Sequence, residues 1–165
     1  MSFLFQHIFL SRIKSLASLA MLLLCFGSCT QVDLYERLVN IQAAKWSSTQ
    51  TASFPFEIKD TAIAYKVYVV IRHTNNYAYR NIWLNVGAQQ PGDSIKQQTF
   101  EIPLASAENW LGTGTDDIFE HRELLFKRPV RFSKKGEVVF TLQQTMRQDP
   151  LPGILQAGIR VEPVR

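Results

Sequence analysis

From residue 52 onward, apolar and polar positions alternate with a period of two in stretch after stretch. In KVYVVIRH, one face carries Val67, Val69 and Ile71 and the other Lys66, Tyr68, Val70 and Arg72. NIWLNV sets Ile82, Leu84 and Val86 against Asn81, Trp83 and Asn85. TFEIPL sets Phe100, Ile102 and Leu104 against Thr99 and Glu101. GEVVFTLQQ alternates Val138, Phe140 and Leu142 with Val139, Thr141 and Gln143, and GIRVE alternates Ile159 and Val161 with Arg160 and Glu162. Successive side chains of a strand point to opposite faces, so each stretch predicts a half-buried strand. SFPFEI and ELLFKR add two more. Asn75-Asn76, Pro91-Gly92-Asp93, Lys134-Lys135-Gly136 and Pro152-Gly153 punctuate them as turns. Helix signals are confined to short turns within Ser106–Trp110 and Met146–Leu155. The pattern predicts an all-β fold: an antiparallel β-sandwich, jelly-roll-like or immunoglobulin-like, of about seven to eight strands.

The first thirty residues break this pattern. Arg12 and Lys14 precede an apolar run from Leu16 to Phe26, followed by Gly27, Ser28 and Cys29. This is the order of a secretory signal: basic, apolar, small. The run falls short of the roughly 20 apolar residues a transmembrane helix needs. Both cysteines of the chain lie here. Cys25 follows Leu22-Leu23-Leu24, whereas Phe26-Gly27-Ser28 before Cys29 resembles a bacterial lipobox. Cleavage before Cys29 would discard Cys25, which excludes a disulfide, and no ligand partner supports a metal pair. Residues 1–28 are therefore expected to be a lipoprotein signal peptide. Residues 29–34 form a short lipid-anchored tether, and residues 35–165 the sandwich behind it. From Thr30 to Leu34 the tether spans roughly 17 Å when extended.

Charge adds little at this level. The whole chain has 18 Lys and Arg against 14 Asp and Glu, and two of the basic residues leave with the signal. The densest basic cluster is Lys127-Arg128, Arg131 and Lys134-Lys135, which reads as a solvated turn. Acids are interspersed along the chain, so no nucleic-acid footprint is expected.

Three stretches are more than ordinary turns. RHTNNYAYRNIW carries Arg72, His73, Tyr77, Tyr79 and Trp83; its aromatics either cap the core or offer a patch to a protein or glycan. ENWLGTGTDDIFEHRELLF carries Trp110, Asp116 and Asp117; with Glu120 the two aspartates form a partial oxygen set for Ca²⁺, without the spacing of an EF-hand. QQTMRQDPLPGI carries Arg147 and Asp149, which are placed to pair within the loop. These ten residues are the candidate interaction positions.

No constellation points to catalysis. The mature chain keeps two histidines, His73 and His121, and its cysteine would be acylated. G-x-S-x-G, H-E-x-x-H and a P-loop are absent. Glu108, Asp116 and Glu120 are the carboxylates a hydrolase reading would draw on. His73, ending a strand whose inward set is Val67, Val69 and Ile71, reads as a satisfied structural histidine. The expectation is a non-enzymatic protein with no cofactor and no metal.

Behind the lipobox, IRHTNNYAYRNIWL, WLGTGTDDIFEHR, MRQDPLPGI and the final GIRVE resemble, in this order, the GldH family of gliding-motility lipoproteins of Bacteroidetes. The resemblance covers nearly all of the mature chain. It implies a lipid-anchored envelope protein tied to gliding and type IX secretion, without enzymatic activity. Its lipidated residue would be Cys29. Implied partners are the membrane and other gliding or secretion proteins, and the implied location is the outer membrane, facing the periplasm. A glycan-binding module is the competing reading, resting on Tyr77, Tyr79, Trp83 and Trp110 as sugar-stacking rings.

Overall fold

The computed structural model describes residues 34–164; the signal segment, Cys29 and the start of the tether lie outside the described residues. Twelve strands follow in order: β1 (Tyr35–Asn40), β2 (Lys45–Trp46), β3 (Ala52–Ile58), β4 (Ala64–Thr74), β5 (Asn81–Gln89), β6 (Lys96–Pro103), β7 (Thr113–Thr115), β8 (Ile118–Leu124), β9 (Val130–Arg131), β10 (Gly136–Gln144), β11 (Leu151–Pro152) and β12 (Ile154–Val164). Eight of them have six residues or more. These form two antiparallel sheets, β1-β12-β4-β8 and β3-β10-β5-β6. The short β7 extends the first sheet beyond β8, and β9 pairs with β4.

This strand order separates the two architectures that alternation alone leaves open. Counting only the eight long strands, the sheets read 1-8-3-6 and 2-7-4-5. Every connection but one crosses between sheets, and the exception is the β5–β6 hairpin. That is the double Greek key of a jelly roll, with its first and last strands paired. The pairing Tyr35↔Val161 joins residues at the two extremes of the sandwich.

The core is filled by the inward faces the alternation predicts. Val67, Val69 and Ile71 of β4 face Ile82 and Leu84 of β5 and Val138, Phe140 and Leu142 of β10 in one buried cluster, all at most 2% exposed. Burying each such side chain contributes roughly 1.5–3 kcal/mol. The buried cluster runs from Ile41 to Val161. The sandwich thus has a hydrophobic core built from its own residues.

Two expectations change, and one buried ring lies outside the alternating stretches. β8 spans Ile118–Leu124, earlier than the ELLFKR stretch, whose Leu125 instead turns into the core. Val70, on the outward face, is fully buried. It lies between Gly158 and Arg122 on the neighbouring strands, under long charged side chains that cover apolar surface with their stems. Trp46, isolated in a polar stretch, is fully buried and donates Nε1–H to the Gln50 carbonyl at 2.9 Å.

The register also gives the sandwich two distinct ends. β1 begins, and β12 finishes, at what we term the near end. The β3–β4 (59–63), β5–β6 (90–95) and β8–β10 (125–135) connections lie there. The remaining connections, 41–51, 75–80, 104–112, 116–117 and 145–153, gather at the far end. The eleven residues of β4 separate the two by about 36 Å.

Candidate interaction surface

The loop portions of all three unusual stretches meet at the far end, although they lie far apart in sequence. The core of this end is an aromatic cluster around His73. That ring is fully buried, with Trp110 at 4.5 Å, Tyr77 at 5.6 Å and Phe119 at 5.7 Å between ring centroids. Its Nδ1–H donates to the Thr74 carbonyl at 3.0 Å, which leaves Nε2 as an acceptor without a partner. Burial, reinforced by nearby His121, holds the imidazole below its ordinary pKa and outweighs the Thr74 bond. His73 is therefore structural, as expected, but only half satisfied.

Tyr77 is 3% exposed, and its hydroxyl donates to the Asn81 carbonyl at 2.9 Å. Burial pushes its phenol well above the ordinary range. His73 and Tyr77 thus leave the set of residues open to a partner: both are core. Trp110 is half-buried against His73 and donates to Asn75 Oδ1 at 2.8 Å. It floors a groove of about 520 Å³ with Phe119, rimmed by Arg80 and Glu108.

Asp116 and Asp117 are the two-residue turn of the β7–β8 hairpin. Both have positive φ (50° and 62°) and lie between the paired Thr115 and Ile118. A type I′ turn requires this, and aspartate tolerates it. Glu120, the third residue of the calcium reading, points elsewhere: its carboxylate pairs with Arg72 at 2.5 Å and Arg122 at 2.7 Å.

Arg72 is likewise not a loop residue. It joins a ladder of alternating charge across the outer face of the larger sheet. The ladder runs Arg72, Glu120, Arg122, Glu36, Arg160, Glu162, with contacts of 2.5 to 3.3 Å. Burial opposes ionisation of Glu36, but Arg160 and Arg122 together hold its carboxyl below the usual range.

The 145–150 loop is fastened by Asp149 in a way that spacing did not anticipate. Its carboxylate accepts from Ser48 N–H at 2.7 Å and Ser48 Oγ–H at 2.6 Å, and these bonds depress its pKa. It does not pair with Arg147. Buried Gln144 completes the joint by donating to the Trp46 carbonyl and accepting from Met146 N–H. Arg147, freed from Asp149, lines a groove of about 390 Å³ with Tyr79, Asn81, Trp83 and Met146. Trp83 is 40% exposed there. Tyr79 donates to Gln148 at 2.9 Å. A third groove of similar size lies beside Arg72 and exposed Ile118.

A family model described as GldH lipoprotein matches residues 33–161. That interval takes in the sandwich from β1 into β12 and each far-end stretch. The chain belongs to the GldH lipoprotein family. Within that family, a relative named gliding motility lipoprotein GldH homolog, from Christiangramia forsetii, is 27% identical over 85% of this chain and 90% of its own length. A gliding motility lipoprotein GldH from Flavobacterium johnsoniae is 28% identical over 92% and 98%. Likeness to solved structures is loose. The mosquito-larvicidal Cry4Aa toxin of Bacillus thuringiensis gives a TM-score of 0.43 at 11% identity, over 79% of this chain and 21% of that one. Dimeric latent PorU of Porphyromonas gingivalis gives 0.38 at 12%, over 83% and 13%. The chain spans only a small part of either, and neither likeness carries a functional argument.

Proposed function

We propose that this GldH-family protein is a lipid-anchored accessory component of the gliding apparatus, working by binding rather than catalysis. Cys29 carries the lipid. The protein sits in the outer membrane facing the periplasm and contacts other envelope proteins of gliding and type IX secretion through its far end. The names of its relatives support the motility role. The observation that carries the mode of action is the convergence of three separate stretches on the end opposite the start of β1. A tether of about five residues keeps the near end close to the bilayer, so partners meet the far end.

A photo-crosslinking residue at Trp83 or Arg147 should capture envelope proteins in living cells, and one at Lys96 should not. Capture from position 96 alone, or from none of the three, would contradict this reading. The glycan reading retains one supporting feature, exposed Trp83 beside Tyr79, because packing has consumed Tyr77 and most of Trp110. Blank glycan arrays together with protein crosslinks at position 83 would remove it.

A further inference from the structure

The basic cluster that reads as a solvated turn in sequence gains a different meaning once its place is known. The near-end connections carry six basic and two acidic residues, while the far-end connections carry three basic and four acidic. Positive charge is thus richer in the connections where β1 begins, with exposed Glu57 and Glu137 facing each other across β3 and β10 beside them. Lys59, Lys96, Lys127, Arg128 and Lys135 are exposed and form no salt bridge among the described residues, although Lys96 lies near enough to Asp93 to help lower its carboxyl pKa.

Hydrogen bonds knit the three near-end connections together. Lys134 donates to Asp93 at 2.6 Å and to the Pro91 carbonyl at 3.0 Å. Gln90 accepts from Ser133 N–H at 3.1 Å, and Arg131 donates to the Ala62 carbonyl. Beneath them runs an aromatic chain, Tyr35, Phe56, Tyr65, Phe132 and Phe140, with centroids 5.2 to 6.1 Å apart. It ties the first residue of β1 to the basic 125–135 segment. Leu34, Ile95 and Val164, exposed large hydrophobics, belong to this same end.

We propose that the near end is a membrane-docking face that binds anionic phospholipid headgroups. Unpaired Lys and Arg attract an anionic leaflet over about a Debye length, roughly 8–10 Å, within reach of a tether that spans roughly 17 Å at most. Exposed apolar side chains beside such charges add shallow insertion. A lipid on Cys29 secures the chain but leaves its orientation free. The basic face sets the orientation, presenting the far end outward. The idea extends the lipid-anchored reading, but it is tested on protein without lipid, so the two can fail separately.

The experiment uses residues 29–165 with Cys29→Ser, which retains the whole core, sedimented with phosphatidylcholine vesicles with and without phosphatidylglycerol. The mixed vesicles should retain at least about tenfold more protein, and high salt should abolish the difference. Lys127→Glu/Arg128→Glu/Lys135→Glu together should remove binding with no change in melting temperature. Lys45→Glu/Arg147→Glu at the far end should leave binding intact. Equal retention on both vesicles, survival of binding in the triple variant, or equal loss in the far-end variant would each overturn the proposal. A motility defect in Cys29→Ala alongside absent vesicle binding would keep the anchored role and reject this face.

Discussion

The two ends of this sandwich are built from similar rings and used differently. At the far end, aromatics enclose a buried histidine, and polar side chains such as Asn75, Gln144 and Asp149 spend their hydrogen bonds fixing loops to one another. At the near end, aromatics form a continuous chain from Tyr35 to Phe140, and the polar surface above is rich in unpaired lysine and arginine. One end is a rigid shaped surface with grooves, suited to a folded partner. The other is a charged, gently apolar surface, suited to a bilayer. The jelly roll supplies both because its connections are sorted to opposite ends about 36 Å apart.

The comparison can be broken most severely at the tether. Cys29→Ala should abolish acyl labelling and membrane retention completely, while Cys25→Ala leaves both unchanged; labelling of lipoproteins in cells with a fatty-acid probe reads this directly. Next in size is a contrast within the far end. Trp46→Ala removes a fully buried ring and should cost about 3–5 kcal/mol in urea denaturation. Trp83→Ala, at 40% exposure, should stay within about 0.5 kcal/mol. Similar losses at both would mean that Trp83 is core and the groove is not a free surface.

Glycines sharpen the contrast between ends. Gly153 (φ 88°) sits where a Cβ would meet Tyr77 Cα at 3.1 Å, whereas at Gly92 (φ 74°) the nearest atom is Lys134 Nζ at 4.0 Å. Both substitutions to alanine bear the left-handed penalty of about 1–2 kcal/mol. Gly153→Ala should cost more, since backbone must also shift. Equal losses would show the far-end loops to be as loosely packed as the near-end turn.

The smallest effect is in pH. His73 has a folded pKa below its unfolded value, so the unfolded chain binds more protons and stability rises with pH between the two. Its contribution is fully present above the ordinary histidine value of 6.5 and is lost as pH falls below it. Melting temperature should decline from pH 6.5 downward before the depressed carboxyls of Glu36, Asp93 and Asp149 begin to titrate. His73→Phe should flatten that upper part of the decline. An unchanged slope in the variant would place the titration elsewhere.

Much of the core was legible in the sequence, and the reasons for the misses are physical. The period-two stretches put Val138, Phe140 and Leu142 inside with the right strand limits, because these three form an uninterrupted inward row. β1 shows no clear alternation because Arg37 interrupts the inward row of Tyr35 and Val39, tolerable only at a sheet edge. Alternation misses the limits of β8 because His121 and Glu123 occupy inward positions, where they pair with each other at 3.0 Å. Choosing between jelly roll and immunoglobulin-like order needs the Tyr35↔Val161 pairing, which leaves no local trace. Spacing pairs Asp149 with nearby Arg147, yet Asp149 binds Ser48, 101 residues away. The near-end charge is hidden the same way: the 59–63, 90–95 and 125–135 connections come together only after folding.

The central claim is that the near end lies on the bilayer and the far end points away. With Cys29 acylated, a cysteine introduced at Ile95 or Arg147 is the one free thiol of the mature chain. Lipidated protein labelled at either position can be reconstituted in vesicles containing phosphatidylglycerol and an acceptor dye at the membrane surface. Energy transfer should be strong from position 95 and weak from position 147. Equal transfer from the two, or stronger transfer from 147, would contradict the account.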